Sequence, residues 1–207
     1  MADTSTDLTQ QYDKASGRWR DKMRTLGYYD AYLGFLSQPQ NRVTGAVDVL
    51  DIGAGTGAFA EAWVAVNGAP RALTLLEPSA PMLARAAAAL NVRSVQPKSV
   101  EGTLENPKTA TPGDEVLVAH VIEHCPDPLL ALKQIRSLTR DGGRLHLVVS
   151  KPHWCNAIIW LQWRHRTFKA QDIQNLLAQA DFEVEQDYTF PSGPPSRTSY
   201  GLTARAI

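Results

Sequence analysis

The sequence predicts an α/β fold in which a mostly parallel sheet is flanked by helices. From Val47 onward, short apolar runs alternate with segments of helical periodicity, which is typical of parallel strands joined by helices. A glycine-rich turn follows the first apolar run, and Glu77 ends the second. The chain has 207 residues, of which 43% are hydrophobic, so one globular domain with a buried core is expected.

The first half of this pattern predicts three strands and two helices. Strands are expected over residues 47–53, 73–77 and 92–100, the last of which has the weakest pattern. Apolar side chains at helical spacing over residues 59–64 predict the first helix. The second helix is expected over residues 81–90, with proline at its first position.

The second half predicts two helices and four strands. Asp127 and Pro128 form an N-cap and first-turn pair. The helix that they open is expected to stop near the glycine pair Gly142-Gly143. Apolar periodicity alone predicts the other elements, which are strands over 115–120, 144–150, 182–190 and 198–207 and a helix over 173–180.

Two segments fall outside this alternation. Residues 1–46 contain helical stretches rich in aromatic and charged side chains, and residues 151–169 carry three of the five tryptophans. An open parallel sheet binds ligands outside the carboxyl ends of its strands. The segment that follows the fifth predicted strand and an N-terminal extension could both reach that edge of the sheet. We therefore expect an N-terminal helical cover over residues 1–46 and a binding domain over 47–207, with a substrate-cover insert at 151–169.

Composition disfavours several classes of partner. Lysine and arginine number 21, as do aspartate and glutamate, so the net charge of zero argues against nucleic acid or an anionic membrane surface. Cys125 and Cys155 are too few for a disulfide framework. No apolar run approaches the ~18 residues that span a bilayer, and the N-terminus lacks signal-peptide features. We expect a cytoplasmic protein, monomeric or homodimeric, with a small-molecule substrate and no integral membrane association.

The glycine-rich turn predicts a bound cofactor that contains adenosine. Residues 51–57, DIGAGTG, follow a predicted strand and open a predicted helix. Glycine permits positive φ and lets a ligand approach the backbone, while the start of a helix presents free N–H groups. Glu77 ends the next strand, where its carboxylate can accept hydrogen bonds from both hydroxyls of a ribose.

The spacing of the glycines favours a sulfonium cofactor over a dinucleotide. Dinucleotide sites use G-x-G-x-x-G, whereas this turn reads G-x-G-x-G, with Ala58 as a permitted substitute at the third glycine of that pattern. Asp51 adds negative charge, which disfavours a pyrophosphate and suits a ligand carrying an ammonium and a sulfonium. A turn without a ligand and a nicotinamide-dependent dehydrogenase remain as alternatives.

Four motifs resemble those of the class I S-adenosylmethionine-dependent methyltransferases. VLDIGAGTG is similar to their first motif, LLEPSAPML to the acidic motif of strand two, VLVAHVIEHCPDP to that of strand four, and GGRLHLVVS to the entry of strand five. The resemblance implies a Rossmann-like seven-stranded sheet, mostly parallel with the last strand antiparallel. It also implies O- or N-methyl transfer by in-line displacement to a small-molecule acceptor, with S-adenosylmethionine as methyl donor. A regulatory or partner protein that binds this cofactor without transferring its methyl group is the alternative.

The resemblance also implies roles for individual residues. Asp51 would lie under the methionyl amino group, Glu77 would hold the ribose hydroxyls, and His120 would line the wall on the methionine side. Tyr12 resembles an aromatic residue that some relatives fold over the cofactor. The other residues implied to contact the cofactor are Gly53, Ala54, Gly55, Thr56, Gly57, Pro78 and Met82, with Glu101 or Gly102 near the adenine edge.

Residues 120–124 spell H-x-x-E-H, the spacing of inverted zinc peptidases. That chemistry needs both histidines on one face of a helix, whereas this segment runs from the end of a strand into Pro126-Asp127-Pro128. We therefore expect no metal, and we expect His120 and His124 to line or support the cofactor pocket.

Basic and histidine side chains supply the candidates for catalysis and for substrate binding. A general base matters only when the acceptor is protonated at neutral pH, and His124, His153 and His165 are the candidates for that role. The basic cluster at residues 164–169 either clamps an anionic substrate group or ends a solvated helix. The alternating basic residues at 18–24 are interpreted as a solvated helix face.

Overall fold

The computed structural model of the chain describes residues 20–153 and 166–207. Within these residues, seven strands form one sheet. They are β1 (Asp48–Ile52), β2 (Ala72–Glu77), β3 (Lys98–Glu101), β4 (Gly113–Ala119), β5 (Thr139–Ser150), β6 (Phe182–Tyr188) and β7 (Ser199–Ala206). Their order across the sheet is β3-β2-β1-β4-β5-β7-β6. The pairs from β3 to β5 are parallel, and β7 is antiparallel to both of its neighbours, which confirms the predicted fold class.

Helices cover both faces of this sheet. They are α1 (Tyr28–Leu36), α2 (Ala58–Asn67), α3 (Ala80–Asn91), α4 (Pro128–Ser137), α5 (Ala170–Gln179) and the short α6 (Gly193–Thr198), with 3₁₀ turns at Pro39–Asn41 and Ile122–His124. Residues 20–25 are also helical. In the described part of the chain, no helix combines the length and the apolar character needed to cross a membrane.

The alternation of side chains along β1 divides the core into two layers. Leu50 and Ile52 pack on one face of the sheet, together with apolar side chains of α4 and α5. Val49 packs on the other face, together with apolar side chains of α1, α2 and α3. Because both faces are buried, the central strands contain short apolar runs, such as residues 116–118 and 147–149, and the sequence pattern identified the strands from such runs.

The predicted end of the helix after Asp127 is wrong. This helix, α4, stops at Ser137, and β5 begins at Thr139, so Gly142 and Gly143 lie within the strand. The register with β4 shifts between Gly113 and Glu115, and the glycine pair lies in the resulting bulge. A Cβ at Gly143 would lie 2.8 Å from the carbonyl oxygens of both Arg140 and Asp114, so the glycine serves a close backbone contact and not a helix cap.

Other boundaries differ by a few residues for local reasons. α3 starts at Ala80, one residue before Pro81, because the Ser79 side chain caps it by accepting the Met82 N–H at 3.3 Å. The third strand is shorter than predicted, because residues 92–97 connect α3 to it. The predicted strands from residue 182 onward are confirmed as β6 and β7, with α6 between them.

Two glycines with the same backbone geometry allow the effect of packing to be separated from that of strain. Gly27 and Gly57 precede α1 and α2, with φ and ψ of 82° and 13° and of 84° and 14°. A Cβ at Gly57 would lie 2.9 Å from Cα and Cβ of Ala86, whereas one at Gly27 meets nothing within 4 Å. Gly27→Ala should therefore cost about 1–2 kcal/mol of stability from left-handed strain, and Gly57→Ala about 1–3 kcal/mol more from the collision.

Urea denaturation of the two variants measures this difference directly. Equal losses of stability would show that α3 moves away from the turn without cost.

Candidate functional site

A cavity of about 620 Å³ opens at the carboxyl ends of the central strands. Its walls include Asp51 from β1, Glu77 from β2 and Ala119 from β4. The strand order reverses direction between β1 and β4, and an open α/β sheet forms its ligand crevice at such a point. The cavity therefore lies where the topology predicts a binding site.

The three glycines of the turn have positive φ but differ in what surrounds them. Gly53, Gly55 and Gly57 have φ of 67°, 52° and 84°. A Cβ at Gly53 would collide with Val121, and one at Gly57 with Ala86. A Cβ at Gly55 would meet no atom closer than 4.0 Å, so this glycine alone of the three opens onto free space. Gly53 and Gly55 line the cavity, whereas Gly57 serves the packing between α2 and α3.

Asp51 is an acid buried at the base of the cavity. Its side chain accepts a hydrogen bond from the Ala60 N–H at 3.3 Å, and the residue is 1% exposed. Burial raises the pKa of Asp51, the Ala60 hydrogen bond opposes this and the negative charge of Glu77 adds to it, and the resulting pKa is about 8. No arginine or lysine in the described part of the chain forms an ion pair with this carboxyl group. The site therefore favours a ligand that brings a positive charge to Asp51.

Glu77 links the end of β2 to the glycine turn. One carboxylate oxygen accepts the Gly55 N–H at 2.9 Å, and the other accepts the Ser79 N–H at 3.0 Å. The residue is buried and lines the cavity. Two backbone donors thus fix a carboxylate beside the open glycine, where hydroxyl groups of a ligand can reach it.

The outer part of the cavity lies between the loops that follow β2 and β3. Pro78 and Met82 line it, as do residues 102–105. Gly102 is required there, because a Cβ would lie 2.8 Å from the carbonyl oxygen of Asn106. Glu101 is exposed and, of the two residues considered at this edge, Gly102 is the one in the cavity wall.

The loop after β4 forms the opposite wall. His120, His124 and Cys125 line the cavity on this side. Burial lowers the pKa of the His124 imidazole, the nearby Glu123 charge raises it, and the neighbouring His120 lowers it. Burial raises the pKa of Cys125 to about 12, so this cysteine is a protonated thiol at neutral pH and a poor nucleophile.

The H-x-x-E-H segment is not helical across both histidines. β4 ends at Ala119, and only a 3₁₀ turn at Ile122–His124 follows. Nδ1 of His120 lies 3.1 Å from a carboxylate oxygen of Glu123 instead of facing His124 across a helical turn. Among the residues that the structure describes, no group of three or more histidine, cysteine or acidic side chains is arranged to hold a metal ion.

Not every candidate residue is placed in the cavity. Its walls include Asp51, Gly53, Ala54, Gly55, Thr56, Glu77, Pro78, Met82, Gly102, His120 and His124. His153 lies in the described part of the chain but outside the walls of this cavity, and the same holds for Gly57 and Glu101. Tyr12 and His165 lie outside the described residues, as do residues 154–165 of the expected substrate-cover insert.

An arginine cluster beside the cavity was missed by the sequence analysis. Glu61 on α2 is 5% exposed and accepts hydrogen bonds from Arg20 at 2.8 Å, Arg24 at 2.9 Å and Arg93 at 3.1 Å. Arg93 also donates to the Tyr29 hydroxyl at 2.7 Å. Three cations on one carboxylate leave a local excess of positive charge.

Of the residues interpreted as a solvated face at 18–24, Arg18 lies outside the described residues. Arg24 is exposed as expected, but Arg24 and the partly buried Arg20 also pair with Glu61 and line the cavity, which that interpretation missed. Lys22 is exposed, as that interpretation expected. The one signal in the sequence was a glutamate within the apolar face of α2, where an acid needs a cationic partner. Which arginines supply that partner could not be inferred, since they come from distant parts of the chain.

Comparison with known proteins agrees with this site. A family model described as a methyltransferase domain matches residues 12–187. A search of curated proteins finds no match. Magnesium protoporphyrin IX methyltransferase from Synechocystis, solved with bound S-adenosylhomocysteine, superposes with a TM-score of 0.77 at 16% identity, over 99% of this chain and 100% of that one.

Two further solved structures are similar at low sequence identity. The 1,6-didemethyltoxoflavin N1-methyltransferase from Burkholderia thailandensis has a TM-score of 0.76 and 19% identity, over 98% of this chain and 88% of that one. Mitomycin 7-O-methyltransferase has a TM-score of 0.76 and 20% identity over 97% of this chain, which spans 60% of the length of that enzyme. The family match covers most of the sequence, and the sheet order and the solved structures agree with it. The chain belongs to the methyltransferase domain family and has the fold of the class I S-adenosylmethionine-dependent methyltransferases.

Proposed function

We propose that the protein transfers the methyl group of S-adenosylmethionine to a small-molecule acceptor. The observation that carries the proposal is the buried acid Asp51, whose pKa is raised to about 8 beside the open backbone of Gly55. The similar structures named above are methyltransferases of magnesium protoporphyrin IX, 1,6-didemethyltoxoflavin and mitomycin, each of them a small molecule. A net charge of zero gives no support to a nucleic acid substrate.

The residues of the cavity fit the polar groups of this cofactor. Asp51 would accept from the methionyl ammonium, and Glu77 would accept from the ribose hydroxyls. The backbone of Gly53 and Gly55 would lie along the methionyl chain, and Pro78 and the loop at residues 102–105 would contact the adenine. When bound, S-adenosylmethionine supplies a methyl group on a positively charged sulfur. The sulfur is a good leaving group when a nucleophile attacks the methyl carbon.

The chain's own contribution to such a reaction is mainly alignment and the exclusion of water. Tyr32 and Phe59 are buried against each other, with ring centroids 4.8 Å apart, and both line the cavity. Met23 and Tyr29 extend this apolar wall from the N-terminal side. Effective molarities of ~10⁵ M or more are available from positioning alone.

The N-terminal segment acts as a cover in this proposal. Arg20 and Arg24 attach the helical residues 20–25 to Glu61 on α2, and both arginines lie in the wall of the cavity. The boundaries of this cover at residues 1–46 and of the insert at 151–169 stay predictions, as do the roles of Tyr12, His153 and His165.

Incubation with methyl-labelled S-adenosylmethionine and a metabolite extract tests the proposed function. We expect label to appear in one or a few small molecules. Tight cofactor binding without any labelled product, over a broad panel of acceptors, would favour a regulatory or partner protein that binds the cofactor without methyl transfer.

Cofactor binding should release a proton near neutral pH. With a pKa of about 8, Asp51 holds a proton in the ligand-free site, and it must lose that proton to pair with the methionyl ammonium. Titration calorimetry with S-adenosylhomocysteine at about pH 7, in buffers of different ionisation enthalpy, counts the released proton. Asp51→Asn should lose most of the affinity together with the release, and a buffer-independent enthalpy in the wild type would contradict the assignment.

The pH dependence of folding stability in the ligand-free protein is a second, independent test of the raised pKa of Asp51. The folded state holds the Asp51 proton up to about pH 8, whereas the unfolded chain loses it near pH ~3.9. This group therefore contributes stability that declines as the pH rises from ~4 to ~8. Asp51→Asn should remove that decline in denaturation experiments.

Glu77→Ala should weaken the binding of S-adenosylhomocysteine by roughly 1.5–3 kcal/mol, because it removes hydrogen bonds between a charged group and two hydroxyls. Glu101→Ala is the matched control, since Glu101 pairs with Glu77 across the sheet but is exposed and does not line the cavity. Calorimetry on both variants checks the difference. Equal affinities of the two variants would contradict the ribose role of Glu77.

Glu61→Gln should loosen the N-terminal cover. The change removes the charge that attracts three guanidinium groups, so tryptic cleavage after Arg20 and Arg24 should become roughly tenfold faster. Asp114→Asn is the control, because it weakens ion pairs with Arg71 and Arg140 away from the cavity. An unchanged cleavage rate in Glu61→Gln would show that other contacts hold the segment.

A further inference from the structure

The residue that directly follows β4 has an unfavourable backbone conformation. His120 has φ of 58°, in the left-handed region that residues other than glycine rarely adopt. Its N–H donates to the carbonyl of Val148 at 2.9 Å, so the pairing with β5 holds this conformation. The fold therefore maintains backbone strain at a residue that lines the cavity.

Glu123 fixes the imidazole of His120. Nδ1 lies 3.1 Å from the Glu123 carboxylate and 3.2 Å from the Ser150 hydroxyl. The same carboxylate oxygen accepts the Ser150 N–H at 2.7 Å, and the Glu123 side chain is fully buried. Because a carboxylate only accepts hydrogen bonds, the neutral imidazole carries its hydrogen on Nδ1 and its lone pair on Nε2.

The other ring nitrogen has no such contact. In residues 20–153 and 166–207, Nε2 of His120 is buried and no group hydrogen-bonds to it. Tyr28 packs edge-on against the ring, with centroids 5.6 Å apart and an interplanar angle of 79°. A buried acceptor without a donor is costly, and a donor supplied by a bound ligand would relieve that cost.

We propose, on the basis of the proposed function, that His120 accepts the acceptor's proton during methyl transfer, that Glu123 positions it, and that the acceptor is a phenolic hydroxyl. The phenol oxygen forms a bond to the methyl carbon while the carbon–sulfur bond breaks and leaves its electron pair on sulfur. The hydroxyl proton moves to Nε2 of His120. The resulting imidazolium is stabilised by Glu123 and returns the proton to solvent.

A phenol suits this arrangement better than other acceptors do. The pKa of a phenol is about 10 and that of imidazole about 6.5, so the proton can move as the new bond forms. A carboxylate acceptor carries no proton to remove, and an aliphatic hydroxyl is far less acidic than a phenol. The aromatic side chains of Tyr29, Tyr32 and Phe59 in the cavity wall also suit an aromatic ring.

His120 is better placed for this role than the other candidate histidines. His124 lines the same cavity, but burial lowers the pKa of its imidazole and makes it a weaker base. His153 lies outside the walls of the cavity. The sequence analysis had assigned His120 only to the cofactor wall, because the contact with Glu123 and Ser150 requires the fold.

A series of substituted phenols of graded acidity tests the proposal, with S-adenosylmethionine as donor. His120→Asn removes the imidazole, and asparagine tolerates left-handed backbone. At about pH 8, we expect rates on phenols with a pKa of about 10 to fall roughly 10²- to 10³-fold. Rates on phenols that are already ionised, such as 4-nitrophenol, should fall less than about tenfold, since they need no base. Glu123→Gln should show the same pattern with smaller losses.

Two further measurements do not depend on turnover. Long-range proton–nitrogen NMR spectra should show the His120 ring protonated on Nδ1 in the wild type and a mixture of tautomers in Glu123→Gln. Calorimetry with S-adenosylhomocysteine should give an affinity for His120→Asn within about tenfold of the wild type.

The matched control is His124→Asn, and any loss of rate that it causes should be equal for all phenols. An equal loss across the phenols in His120→Asn overturns the assignment of His120. The assignment is also overturned if the wild-type His120 ring is protonated on Nε2, or if His120→Asn no longer binds S-adenosylhomocysteine.

The phenol class and the proposed function have their own tests. Wild-type protein that binds S-adenosylhomocysteine but methylates none of the phenols overturns the phenol class. Absence of S-adenosylhomocysteine binding in the wild type overturns the proposed function itself.

Discussion

The parallel pairing of β1 with β2 on one side and β4 on the other determines where the polar groups of the site lie. Ile52 is in register with Leu76 and with Val118, so three strands end at the same level of the sheet. The chain leaves these ends in different directions, and the gap between the departing loops becomes the cavity. Asp51, Glu77 and His120, far apart in sequence, meet there because the strand register brings them together.

The net charge of the chain is zero, but acidic and basic side chains lie at different parts of the cavity wall. Two buried acids, Asp51 and Glu77, lie in the wall of the cavity at the ends of β1 and β2. Arg20, Arg24 and their partner Glu61 place positive charge at another part of the same wall. The site is therefore polarised, which suits a ligand that carries charges of both signs.

The sequence predicted those parts of the site that depend on short stretches of chain. The glycine turn and Glu77 were identified because strand ends and turns have local signatures. The pair Gly142-Gly143 was misread as a helix stop, because Gly143 serves a close backbone contact between β4 and β5 that only the assembled sheet creates. The partners of Glu61 and the contact between His120 and Ser150 could not be predicted either, because they join residues from distant parts of the chain.

The close contact between Gly57 and Ala86 also limits which substitutions the turn can accept during evolution. A Cβ at position 57 would lie against both the backbone and the Cβ of Ala86, so Gly57 cannot gain a side chain while α3 keeps its present place. The alanine-rich stretch of α3 is thus a contact surface for the turn at this point, and not merely a run of good helix formers. Among descendants of this sequence, position 57 should therefore stay glycine for as long as α3 lies against the turn as it does here, and a side chain at this position would show that α3 has moved.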